Sequence, residues 1–202
     1  MTVIIDYDAG NIRSVEKALL SLGVKPELTR DRKTILGADH VILPGVGSFG
    51  DAMNKLITYD LVDVVQSVCQ AGTPFLGICL GQQLLFERSE ETPGVAGLGI
   101  LKGECLRFDG TKGLKIPQIG WNSLRYTADG RLFKGISDGA FVYFVHTFYC
   151  RAQDRSVVTA MTDYADPVDA SIEKDNIFAC QFHPEKSGRV GLTILKNFLA
   201  VR

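Results

Sequence analysis

In the first half of the chain, short apolar runs alternate with segments whose apolar residues recur every three or four positions. TVIID at 2–6 predicts a strand, and NIRSVEKALLSLG at 11–23 predicts a helix with apolar residues at 12, 15, 18, 19 and 22. A short strand near 25–29 and a stronger one at HVILP, 40–44, come next. A glycine-rich turn leads into a helical region ending near Ala71, then a strand at PFLGI, 74–78, and a helix over 80–90. Strands alternating with helices predict a parallel sheet with helices on its faces.

The second half is richer in strands. LKGECLRF, FVYFVHTFYC, SVVTAMTDY and NIFACQFH are β-like segments separated by Gly, Asp and Asn turns. The last segment, GRVGLTILKNFLAVR, carries apolar residues at 192, 195, 198 and 199, the spacing of a closing helix with Ser187 as its expected N-cap. The pattern thus predicts an α/β fold with a mainly parallel sheet and a β-rich second half.

Composition narrows the class. A chain of 202 residues, 46% hydrophobic and 22% charged, suits one globular domain over 1–202. A formal net charge of −1 offers no bulk attraction to nucleic acid or to an anionic membrane, and neither is expected as a partner. MTVIIDYDAG lacks a basic start and reaches Asp6 early, so no signal peptide is expected, and no apolar run has the length of a membrane span. The cysteines, at 69, 79, 105, 150 and 180, are odd in number and form no CxxC pair. Neither a disulfide framework nor a metal is expected, nor any other cofactor, and the cytoplasm is the natural compartment.

PGVGSFG, 44–50, matches G-x-G-x-x-G through Gly45, Gly47 and Gly50. A dinucleotide site would place these glycines in the first strand–helix turn, with an acid ending the next strand; here two strand candidates come earlier and the next strand ends in Ile78-Cys79. A plain turn and a backbone that approaches a developing negative charge are the other two readings. The third needs a nucleophile nearby. Gly77-Ile78-Cys79-Leu80-Gly81 has the form G-x-C-x-G, which allows a sharp strand-to-helix turn that lifts a thiol above the sheet. Buried free cysteine is the competing reading, and it suits Cys69, Cys105, Cys150 and Cys180. Of the three histidines, His40 opens a strand, His146 ends an aromatic one, and His183 begins His-Pro-Glu, where Glu185 is within reach of the imidazole. Cys79, His183 and Glu185 have the chemistry of nucleophile, base and orienting carboxylate.

GICLGQQ at 77–83 with His183-Pro184-Glu185 resembles the class I, triad-type glutamine amidotransferases, and the resemblance covers essentially the whole chain. It implies a flavodoxin-like, doubly wound fold and an enzyme that releases ammonia from L-glutamine through a thioester on Cys79. It further implies an oxyanion hole of backbone N–H groups from Leu80 and near Gly47. Gln83 and Glu91 are expected to bind the substrate, with backbone groups of His146, Thr147 and Phe148 finishing the pocket. No segment is left over to bind an ammonia acceptor, so a partner is expected, and the resemblance points to a (β/α)8-barrel cyclase. Asn11, Trp121, Asn122, Tyr143 and Lys186 are the candidates for that interface. The alternatives are a glutaminase serving another synthase, such as one making pyridoxal phosphate, a cysteine hydrolase, and a nucleotide-binding module.

Overall fold

The computed structural model describes residues 1–8 and 10–202. Its first half contains β1 (Thr2–Ile5), α1 (Ile12–Ser21), β2 (Glu27–Thr29), α2 (Arg32–Leu36), β3 (His40–Gly45), α3 (Phe49–Thr58), α4 (Val62–Gln70), β4 (Phe75–Cys79) and α5 (Leu80–Leu84). The second half contains β5 (Arg88–Ser89), β6 (Gly103–Arg107), β7 (Gln118–Ser123), β8 (Arg125–Tyr126), β9 (Phe141–His146), β10 (Phe148–Ala152), β11 (Val158–Asp163), β12 (Pro167–Lys174), β13 (Ile177–Cys180) and α6 (Gly188–Leu199). The main sheet has eight strands in the order β2-β1-β3-β4-β13-β12-β11-β8. From β2 to β13 neighbouring strands are parallel, and β12, β11 and β8 extend the sheet antiparallel. The doubly wound expectation is met, with the strand order reversing at β1.

Successive strand residues face opposite sides of the sheet, and both sides are covered. Val3, Ile5, Val41, Leu43 and Phe75 pack with apolar residues of α2, α3, α4 and α5. Ile4, Ile42, Leu76 and Ile78 pack on the other side with α1 and α6. No helix among the described residues is long and apolar enough to cross a membrane.

Several boundaries differ from the sequence pattern. The helix expected over 80–90 stops at Leu84: Leu85 and Phe86 make tight bonds to the carbonyls of Gln82 and Gln83, and Glu87 then pairs with Gly103. The helical region before Ala71 is two helices, divided by Asp60 in the left-handed region at φ 53°. FVYFVHTFYC is split at Thr147 between β9, which pairs with β7, and β10, which pairs with β6. β12 lies outside the predicted strands because Asp169 interrupts its apolar pattern; that carboxylate is buried against Arg155, which donates to its two oxygens at 2.6 Å each. Ser187 does occupy the N-cap of α6, but its hydroxyl donates to the His183 carbonyl and accepts from the Tyr143 N–H instead of capping the helix.

Candidate active site

The parallel pairing of β4 with β13 brings the chemistry together. Cys180 lies opposite Ile78, so the chain leaving β13 runs past Cys79, and His183 and Glu185 follow within one turn. The elbow is sharp: Cys79 ends β4, α5 begins at Leu80, and Cys79 itself sits at φ 55°, ψ −108°. Such a conformation costs a non-glycine residue about 1–3 kcal/mol and persists only where the surroundings over-determine it. Here they do. A Cβ on Gly77 would approach the Gly81 carbonyl oxygen to 2.7 Å, and one on Gly81 would approach the Leu43 carbonyl oxygen to 1.9 Å.

His183 is almost fully buried, and its Nδ1 lies 2.8 Å from Glu185 Oε1. Neither His183 Nε2 nor Glu185 Oε2 has a hydrogen-bond partner among the described residues. Catalytic contacts are often long before substrate binds. Burial alone would lower the histidine's pKa; Cys79 and Glu185 outweigh it and raise the pKa from 6.5 to about 9. The imidazole therefore keeps its second proton through neutral pH and loses it above about 9. If that proton is the one ammonia takes as it leaves, glutamine turnover measured as kcat/KM from about pH 6 to about pH 10 falls on the alkaline side. Glu185→Gln removes one of the charges that raise the pKa, so the alkaline limb moves to lower pH. A limb that stays in place would assign the proton to another group.

A cavity of about 270 Å³ opens beside Cys79, lined among others by Gly47, Leu80, Gln83, Glu91, His146, Thr147 and Phe148. A larger cavity of about 590 Å³ is lined by Arg88, Arg151 and Arg155 and contains no triad residue; its buried acid, Asp169, is already paired with Arg155. The smaller cavity is therefore the chemically equipped one. Leu80 is the first residue of α5, so its N–H has no intrahelical carbonyl to bond. Gly45 pairs with Cys79 across β3 and β4, which sets the PGVG segment alongside the thiol. Tyr7 holds that segment by donating to the Pro44 carbonyl at 2.8 Å. Gly47 turns the chain at φ 103°, a region closed to other residues without strain.

The Gln83 amide nitrogen is committed to the protein, donating to the Phe148 carbonyl at 3.0 Å and to Gln181 Oε1 at 3.1 Å. Its oxygen is the part left for a ligand. Glu91 lines the pocket while accepting from the Phe49 N–H at 2.7 Å, which ties it to the start of α3. His146 has its pKa pushed down to about 4, chiefly by burial, and its ring is neutral at physiological pH. Nδ1 donates to the Phe148 carbonyl at 2.8 Å, and Nε2 lies 3.0 Å from the Gln118 side-chain amide. A neutral ring bonded this way needs a donor at Nε2, so the amide turns its N–H toward it. His146 thus ties β7 to β10 across the pocket wall.

The sequence reading missed Gln181. It is fully buried, and its amide nitrogen lies 3.7 Å from Cys79 Sγ while its oxygen accepts from Gln83. Its position just after a strand that runs parallel to the elbow strand was the available signal, but the pairing itself was not visible.

Of the candidate interface residues, Trp121 and Tyr143 face each other across β7 and β9 with ring centroids 6.1 Å apart, and Lys186 Nζ lies 5.9 Å above the Tyr143 ring. Asn122 is turned to the other side of β7 and donates to the Asp163 carbonyl. Asn11 is hydrogen-bonded to Glu185.

The model of the family "Glutamine amidotransferase class-I" matches residues 3–201. The chain is 51% identical over 201 residues to imidazole glycerol phosphate synthase subunit HisH of Bacillus cereus (strain G9842), covering 100% of this chain and 95% of that protein. It is 50% identical over 199 residues to the protein of the same name from Aquifex aeolicus (strain VF5), covering 98% and 95%. A crystal structure of a glutamine amidotransferase superposes with a TM-score of 0.76 at 21% identity, covering 98% of this chain and 96% of the other, a likeness of fold. With nearly every residue inside the family match and half of them identical to those relatives, the chain belongs to the class I glutamine amidotransferases.

Proposed function

We propose that residues 1–202 form one amidotransferase domain that serves as the glutaminase subunit of an imidazole glycerol phosphate synthase. The observation that carries the site assignment is the buried Cys79, His183 and Glu185 set at the C-terminal ends of two adjacent parallel strands, beside a cavity of about 270 Å³. The relatives' common name supports the subunit assignment, and the segments PQIGWN and YFVHTFY, which form the β7–β9 ribbon and the pocket wall, support it from the sequence.

L-Glutamine enters with its carboxamide at Cys79. His183 carries the proton as the Cys79 sulfur bonds to the amide carbon, whose oxygen takes the negative charge. The N–H groups of Leu80 and the Gly47 segment hold that oxyanion. His183 returns the proton to nitrogen as the C–N bond breaks, and ammonia leaves a γ-glutamyl thioester. Water, deprotonated by His183, cleaves the thioester to glutamate and restores the thiol. Glu185 holds the ring throughout, while Gln83 and Glu91 receive the α-amino end of the substrate with the Thr147 and Phe148 backbone.

Ammonia released into water is protonated and ceases to be a nucleophile, so the product must pass directly to a consumer. The partner is a (β/α)8-barrel cyclase subunit, and the setting is the cytoplasm, which suits five buried free thiols. The docking face is the β7–β9 ribbon, where Ile119, Trp121 and Phe141 are 62%, 55% and 57% exposed. Aromatic residues standing this far out of a surface are characteristic anchors of interfaces. The ribbon is bonded to the triad: the His183 N–H donates to the Tyr143 carbonyl at 2.9 Å, and the Tyr143 N–H donates to Ser187 at 2.9 Å. Partner binding therefore bears on the catalytic turn.

The test is glutamate release by the chain alone and with the cyclase and its phosphoribosyl ligand. Activation on the order of 5- to 150-fold is expected from a coupling of ordinary strength. Trp121→Ala is expected to weaken the complex roughly 30-fold or more, read by titrating the cyclase. Full turnover without the cyclase removes the effect of partner binding on the catalytic turn, and an unchanged affinity in Trp121→Ala removes the docking face.

A further inference from the structure

We propose that Asn11 is a positioning residue of the catalytic triad, holding the Glu185 carboxylate that in turn orients His183; the inference rests on the triad reading above. Asn11 lies 174 residues before Glu185, at the N-cap of α1, yet its side-chain Nδ2 donates to Glu185 Oε1 at 2.6 Å. The same oxygen is the one that meets His183 Nδ1 at 2.8 Å.

Glu185 needs such a partner. Its side chain is fully buried, and Oε2 has no hydrogen bond among the described residues. A buried carboxylate with one oxygen unbonded is free to rotate about its terminal bond, offering the ring either oxygen in turn. The Asn11 amide removes that freedom by binding the oxygen that must face the imidazole. A neutral donor does this without a positive charge that would compete with the imidazolium.

The backbone supports the same assignment. Asn11 adopts the left-handed conformation at φ 71°, ψ 3°, which non-glycine residues rarely enter and asparagine tolerates better than most. Its side chain makes no capping bond to α1, so the amide serves Glu185 and not the helix. Asn11 is also half-buried at the surface, where the sequence reading placed it in the partner interface.

Asn11→Gly and Asn11→Asp separate the roles. Glycine accepts the left-handed backbone and removes only the amide; aspartate keeps the shape and replaces the donor by a charge facing Glu185. With the cyclase saturating, Asn11→Gly is expected to lower kcat for glutamine roughly tenfold while KM stays within about twofold, and Asn11→Asp roughly a hundredfold. Thermal unfolding checks that each variant is folded. A kcat within about twofold of wild type in Asn11→Gly overturns the proposal. A loss confined to KM, or one removed by raising the cyclase concentration, assigns the amide to substrate or docking and overturns it equally. Cys79→Ser runs beside them: activity surviving there dismisses the triad itself, whereas an inactive Cys79→Ser with a normal Asn11→Gly keeps the triad and dismisses only Asn11.

Discussion

Cys79→Ser is expected to lower glutamate release from glutamine by roughly four orders of magnitude or more, with the fold intact. Thiols are partly ionised at neutral pH and intrinsically strong nucleophiles, whereas a hydroxyl depends on its base for the whole deprotonation. The elbow geometry was built for sulfur: Gln181 Nε2 lies 3.7 Å from Sγ, and the shorter C–O bond of serine draws the nucleophile back from that donor. Serine has the same shape at φ 55°, so the elbow closes as before and the melting temperature stays close to that of wild type. Glutamate release is measured with and without the cyclase. Residual activity above about a hundredth of wild type contradicts covalent catalysis at Cys79, since losing one member of a catalytic unit removes nearly all of its effect.

The second large effect is on stability. Gly81→Ala places a methyl group 1.9 Å from the Leu43 carbonyl oxygen, inside any van der Waals contact. The atom it meets is backbone in the middle of the sheet, so no side chain can swing aside. Either β3 and α5 separate or the elbow opens, at a cost on the order of 3 kcal/mol or more. For a chain of this size that lowers the melting temperature by roughly 6–12 °C. Opening the elbow moves Cys79 as well, so activity falls further than the unfolded fraction explains. A variant that melts with wild type shows that α5 packs less closely on β3 than described.

Local signals carried much of the site. The glycines around Cys79 mark a tight junction, and His-Pro-Glu places the candidate base and carboxylate two residues apart, so both halves of the proposed triad were legible from spacing. The longer elements of the first half, β1, α1, β3 and β4, were equally plain from their apolar spacing, whereas the five-residue α2 was not anticipated. β12 was not: Asp169 reads as a break until Arg155, fourteen residues away, neutralises it. The end of α5 was hidden too, since nothing within 80–90 announces that Glu87 will pair with Gly103.

The sequence alone determined the α/β class and singled out the candidate nucleophile, base and carboxylate, because these depend on residues adjacent in the chain or on periodicity within one element. Tertiary structure decided the rest. That Gln181 stands beside Cys79, that His146 ties β7 to β10, and that Asn11 reaches Glu185 all follow from which strands and loops become neighbours. Those neighbours come from distant stretches of chain, and burial of both sheet faces, not local propensity, selects them.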